Sequence, residues 1–161
     1  MKTLCIPKNL LAAVALIALA GPGLSQDAMK MTSVTPDALM WKDNPALPKG
    51  AQTAVVIGDP TKAGEMYVAR TKLPPNYQIA AHTHPNAESL TVISGSVNLG
   101  EGDKLDTQKG TLLKAGSYLF NPANHAHYGW TTNEEAVVQV QAIGPSGIDY
   151  INPGDDPRKT Q

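Results

Sequence analysis

Three side chains able to hold a divalent cation stand close together in mid-chain: His82, His84 and Glu88, in the run NYQIAAHTHPNAESLTVISG over residues 76–95. A strand turns alternate side chains to opposite faces, so His82 and His84 point into the same space. Glu88 follows across Pro85–Asn86, a pair that reads as a turn. Leu90–Thr91–Val92–Ile93 then carries the chain on to Gly95. The expectation is a hairpin that lays Glu88 alongside the two imidazoles. Two neutral imidazoles and a carboxylate make up most of a divalent metal site.

A fourth ligand must come from elsewhere, and a second cluster offers it: GSYLFNPANHAH over residues 116–127. It reads as a strand opened by Gly116, a Pro122–Ala123–Asn124 turn, and a strand that begins with histidines. The chain has 4 histidines, and all fall in two His-x-His pairs, which random placement would rarely give. His125 and His127 share a face if their segment is extended. Register from Pro122 makes His127 the ligand. His125 is then an alternative ligand, a group orienting or exchanging protons beside the metal, or a surface residue.

These side chains need a frame of strands. From residue 51 onward, short apolar runs alternate with Gly, Pro and Asn: strands are expected at 53–57, 65–73, 77–84, 89–94, 96–99, 111–114, 117–120, 125–130 and 136–143. No helical period competes with them, and the reading is an all-β sandwich or barrel. In the last strand, Val138, Val140 and Ala142 alternate with Gln139 and Gln141, whose amides face either a pocket or, on the preferred reading, water. Arg70 meets an anionic ligand if the even face of its strand is inward; the outward reading is preferred. Tyr118, Phe120, Tyr128 and Trp130 wall a pocket or belong to the core. Residues 26–50 read as an arm over the barrel, with one helical turn at 37–41 anchored by Leu39 and Trp41. Residues 146–161 read as a tail in which Ile148, Tyr150 and Ile151 dock and the last few residues are mobile.

The two clusters resemble the paired motifs of the cupin superfamily. The first, G-x5-H-x-H-x3-E-x6-G, is met by His82, His84, Glu88 and Gly95, with Asn76 in place of the opening glycine. The second, G-x5-P-x-G-x2-H-x3-N, is met by Gly116, Pro122 and His127, with Asn124 replacing the glycine and Thr131 the final Asn. Asn tolerates left-handed backbone better than most residues, so that departure is mild. The resemblance covers residues 51–145 and implies a single-domain jelly-roll barrel, the double-sheet roll that protects its strand edges. It implies His82, His84, Glu88 and His127 as ligands of one divalent transition metal ion: zinc, copper, nickel, manganese or iron. Open coordination positions would then receive a small oxygenated organic molecule. It also implies a homodimer formed through the outer sheet.

The chain of 161 residues suits one domain. Lys2 and Lys8, an uninterrupted apolar run over residues 10–20 and the helix-breaking Gly21–Pro22–Gly23 are laid out as a secretory signal peptide. The run is shorter than the roughly 20 residues that span a bilayer. Cleavage is expected after Ser25, with Ala18–Leu19–Ala20 offering a second site, so the domain is expected in the periplasm or secreted. The only cysteine, Cys5, lies inside the signal, which removes disulfides and thiolate chemistry from the mature chain. A net charge of -1 without a basic run gives no sign of nucleic-acid or membrane-surface binding. The functional expectation is an exported, metal-binding cupin. It acts as a dioxygenase, isomerase or lyase on an enol, diketone or phenolic molecule, or it serves as a non-catalytic binding module for metal or a small ligand.

Overall fold

Strands with one apolar face must bury it against a second layer, and this chain builds both layers from itself. The computed structural model describes residues 31–159, and the expected signal peptide at 1–25 lies outside them. The described residues form β1 (Lys42–Asp43), β2 (Gln52–Ile57), β3 (Met66–Leu73), β4 (Gln78–Thr83), β5 (Glu88–Ser94) and β6 (Ser96–Glu101). β7 (Thr111–Lys114), β8 (Tyr118–Asn121), β9 (His127–Trp130), β10 (Ala136–Ile143) and β11 (Asp149–Tyr150) follow. They make a larger sheet in the order β1-β2-β3-β10-β5-β8 and a smaller one in the order β11-β4-β9-β6-β7. All pairings are antiparallel. This is the all-β jelly roll expected from the sequence. The expected strands recur with ends displaced by no more than two residues, and β1 and β11 are additions.

The hairpin expected between β4 and β5 does not form. β4 lies in the smaller sheet between β11 and β9, and β5 in the larger sheet between β10 and β8. Both edges of β4 are taken, so the chain leaving His84 bends at Pro85–Asn86 and finds its next ladder in the opposite layer. The second cluster repeats the move, with β8 in the larger sheet and β9 in the smaller. The two crossings run side by side. Asn124 N–H donates to the His84 carbonyl at 2.8 Å. His82 stands opposite His127 in one sheet, and Glu88 opposite Asn121 in the other. Glu88 therefore reaches His84 across the gap between the sheets.

Four residues of the two motif segments take left-handed backbone: Asn76 (φ 55°), Gly95 (φ 67°), Gly116 (φ 88°) and Asn124 (φ 58°). Asn fills two of these places because its short polar side chain makes the conformation affordable. Gly95 has no such latitude. A Cβ there would meet the Glu135 carbonyl oxygen at 2.1 Å, and that atom is backbone. Gly95→Ala is accordingly expected to cost about 2 kcal/mol or more in urea unfolding, from the backbone conformation and the clash together.

The core between the sheets gathers Leu73, Tyr77, Leu90, Val92, Val97, Leu113 and Val138. On one side the gap is closed by the chain preceding β2. Asn44 Nδ2 donates to Thr53 of the larger sheet at 3.0 Å, and the Ala46 carbonyl accepts from Tyr150 Oη of the smaller sheet at 2.9 Å. Tyr77 Oη donates to the Pro48 carbonyl. Residues 44–48 thus strap the two layers together. The helical turn expected at 37–41 is a 3-10 turn at Pro36–Ala38, and Leu39 is already extended. Pairing of β1 with β2 requires extended chain from Lys42, which stops the turn early. Trp41 is an anchor, with Lys72 Nζ 4.2 Å over its ring.

Candidate metal centre

His82, His84 and His127 come together at one end of the space between the sheets, their ligand-capable atoms all within 4.8 Å of one another. The ring centroids of His82 and His127 are 4.2 Å apart, and those of His82 and His84 4.9 Å. A bulge sets the first of these side chains. Ile79 faces Gly129 and His82 faces His127, so β4 carries one more residue than β9 over that stretch. The extra residue lets Ile79 and His82, three apart, both line the cavity, which an unbroken strand forbids.

Each imidazole is held by its Nδ1. His82 Nδ1 lies 2.8 Å from the Ala80 carbonyl, His84 Nδ1 2.6 Å from the Gly147 carbonyl, and His127 Nδ1 3.1 Å from the His125 carbonyl. A carbonyl oxygen only accepts, so these contacts favour a proton on Nδ1 and turn Nε2 toward the centre; His127 Nδ1 also lies 3.2 Å from Asn121 Nδ2, a second group that holds that ring in place. Burial holds His82 down to about 3, with the neighbouring His127 adding to the effect, and holds His127 down to about 4. Both rings are neutral at physiological pH.

Glu88 is buried, and its Oε1 lies 3.3 Å from His84 Nε2. Burial raises its pKa, opposed by His84 alone. A buried carboxyl group beside the neutral rings of His82 and His127 lacks a fixed positive partner on that side, and a divalent cation is a group that would supply one. Nitrogens bound to one tetrahedral ion at about 2.1 Å stand about 3.4 Å apart, so histidine atoms within 4.8 Å of one another reach that geometry by closing through about 1 Å, a side-chain adjustment. The residues fit a metal ion.

The centre opens into a cavity of about 300 Å³. From the larger sheet the inward residues of β3 are Tyr67, Ala69, Thr71 and Leu73, so the odd face is inside and Arg70 is outside. Arg70 Nε donates instead to Gln139 Oε1 at 3.0 Å, on the outer face of a strand that is internal to its sheet. Val138 and Val140 line the cavity and Gln141 is exposed. None of the four aromatics of the second cluster borders it: Tyr128 is core, while Tyr118 and Phe120 are exposed. His125 is turned away, its Nε2 3.7 Å from Glu101 Oε2.

Sequence reasoning missed Tyr67, a buried phenol bordering the cavity two strands over from Glu88, with Ala142 between them. The parity of Tyr67, Ala69 and Leu73 was the available signal. It also missed the part played by the chain end. β11 adds to β4, the Gly147 carbonyl orients His84, and Arg158 reaches the cavity wall while gripping Asp156 at 2.7 Å. Thr131, where the motif has Asn, is buried. Its Oγ1 accepts from Tyr77 N–H at 2.9 Å and donates to the Pro74 carbonyl at 2.5 Å, tying the end of β9 to the turn before β4.

Two antiparallel sheets rolled around a histidine-lined pocket define the protein as a cupin. A family model for the ChrR cupin-like domain matches residues 29–146, and the chain belongs to that family. No curated protein matches it in sequence. Among solved structures it is similar to the polyketide cyclase RemF from Streptomyces resistomycificus: 19% identity, 81% of this chain and 92% of that one, TM-score 0.65. It is also similar to a putative acetylacetone dioxygenase from Methylibium petroleiphilum PM1: 20% identity, 80% and 86% covered, TM-score 0.60. A third is a double-stranded β-helix protein from Klebsiella pneumoniae: 24% identity, 74% and 96% covered, TM-score 0.54. At these identities the likeness is one of fold.

Proposed function

We propose that this domain holds one divalent transition metal ion through Nε2 of His82, His84 and His127 with the Glu88 carboxylate, and acts there on a small oxygenated organic molecule. The carrying observation is the convergence of His82, His84 and His127, their ligand-capable nitrogens within 4.8 Å of one another, each ring held from behind by a backbone carbonyl, beside the buried Glu88 carboxyl group. A bound divalent ion supplies Lewis acidity, and a redox-active one would add electron transfer. The protein's own share is to fix the donor geometry, keep the His82 and His127 rings neutral, and shield the reacting end with an apolar wall. Tyr67 borders the cavity, and burial keeps its phenol protonated, so its O–H is placed to donate a hydrogen bond to a bound oxygen. That fold neighbours include a polyketide cyclase, DMSP lyases and a putative acetylacetone dioxygenase supports the catalytic reading.

The test is a panel of diketones, catechols and flavonols offered to metal-loaded protein, followed by oxygen uptake and ultraviolet change. Turnover that His84→Ala abolishes is the expected result. The second reading, a binding module, is favoured by one feature: with Glu88 and the histidines as ligands, Tyr67 and Arg158 are the remaining titratable side chains on the cavity wall. Tight binding without turnover would establish it.

The affinity order of divalent ions places copper above nickel and zinc, and these above iron and manganese, at a mixed histidine–carboxylate site. Protein purified from its own compartment is expected to carry zinc, copper or nickel; stoichiometric iron in elemental analysis would overturn this. Export is part of the proposal and rests on the apolar run over residues 10–20. Cell fractionation with N-terminal sequencing of the mature chain tests it. Dimer formation through the larger sheet is supported by exposed Tyr118, Phe120, Met66 and Ile143, and analytical ultracentrifugation decides it.

A further inference from the structure

The larger sheet presents its inner face to the cavity in layers set by strand register. Glu88, Ala142 and Tyr67 stand side by side at the metal end. Leu90, Val140 and Ala69 form the next layer, and all three border the cavity. Val92, Val138, Thr71 and Thr53 form the third. Ile79 and Leu99 of the smaller sheet add apolar wall to the cavity. The lining is therefore polar at one pole, apolar in the middle, and polar again at Thr53 and Thr71. Thr71 lies four residues along β3 from Tyr67, which at roughly 3.3 Å per residue is about 13 Å.

The distal pole has a hydrogen-bonding group to spare. Asn44 Oδ1 accepts from Ala46 N–H at 3.0 Å, which orients the amide so that Nδ2 donates to Thr53 Oγ1 at 3.0 Å. Thr53 Oγ1 and Thr71 Oγ1 are 3.0 Å apart. Two hydroxyls that bond each other use one proton between them and leave the second available. Both threonines border the cavity, so that second O–H has a ligand-sized space to serve. A ligand oxygen that reaches this half-buried pair would accept from that second O–H.

We propose that the cavity selects a two-headed molecule. One head is the oxygen chelate of the metal pole; a flat apolar body fills the middle layer; a hydroxyl or carbonyl oxygen at the far end bonds the Thr53–Thr71 pair. This rests on the metal-centred reading above and narrows its substrate class to extended phenols and polyketide-like molecules oxygenated at both ends. Short diketones leave the distal pole empty.

The experiment uses zinc-loaded protein and two probes: catechol carrying a phenyl ring para to one hydroxyl, and the same molecule with a further hydroxyl at the far end of that ring. Calorimetric titration is expected to show the hydroxylated probe binding about fivefold more tightly, the ratio that one net hydrogen bond gives. Thr71→Val is expected to bring the two probes to equal affinity, and Thr71→Ser to retain the preference. Thermal unfolding of each variant confirms that the shape-matched replacements fold. Equal binding of both probes by the wild-type protein, or a preference that survives both Thr71→Val and Thr53→Val, overturns the distal pole and leaves the metal-centred reading standing. Failure of both probes to bind overturns both.

Discussion

His127→Ala is expected to lower metal affinity by more than about 100-fold, whereas His125→Ala leaves it unchanged. Groups that merely orient a ligating histidine are worth about 10–100-fold, so removing a ligand itself costs more. The pair of variants separates two residues that the sequence leaves as alternatives. Nε2 of His127 is free and faces His82 and His84, while Nε2 of His125 is beside the Glu101 carboxylate, off the cavity wall. The His125 carbonyl that holds His127 Nδ1 is backbone and survives the substitution. Competition against a chromophoric chelator measures both. Equal loss in the two variants would show that the centre is not assembled as described.

Metal-stripped protein is expected to lose several kcal/mol of stability between pH 6 and pH 4. His82 and His127 stay neutral in the folded state down to about 3 and 4, but an unfolded histidine binds its proton near 6.5. Across that window the unfolded chain holds more protons, so stability rises with pH and is lost as pH falls toward the folded values. Each unit of difference is worth about 1.4 kcal/mol. Glu88 acts in the opposite sense, since burial raises its pKa and its contribution fades as pH rises. One carboxylate does not reverse two histidines, and the net slope keeps their sign. Urea unfolding of chelator-treated protein at stepped pH checks this, and His127→Gln should flatten the slope. A stability profile that is level from pH 6 to pH 4 would mean that the rings are not buried neutral.

The same neutrality makes the site ready for a cation. At pH 7 a metal ion displaces no proton from His82 or His127, because their available nitrogens are already bare. The Nδ1 contacts come from three separate stretches of backbone: Ala80 at the bulge, His125 in the second crossing and Gly147 in the chain end. The site therefore depends on segments well outside the two histidine clusters.

Much was legible in advance. The strand boundaries followed from apolar runs and their Gly, Pro and Asn punctuation, and the four left-handed turn positions fell on residues able to adopt them. The facing of His82 and His84 followed from strand parity. Residue types alone made a mixed histidine–carboxylate centre the best reading, because no other cluster in the chain offers such donors. These are local properties, and a sequence carries them directly.

What the sequence did not decide was partnership. Whether β5 folds back on β4 or joins the opposite sheet depends on which strand edges remain free. That choice is made by β10, β8, β9 and β11, segments distant in the chain. The hairpin expectation failed for this reason, and with it went the idea that Glu88 reaches the histidines along one sheet. The inward parity of β3, the bulge that re-aims His82, and the strap and chain end that finish the cavity wall likewise arise from contacts between distant segments. Side-chain chemistry and local spacing named the donors; the long-range pairing of backbone edges brought them to one point and shaped the chamber in front of them.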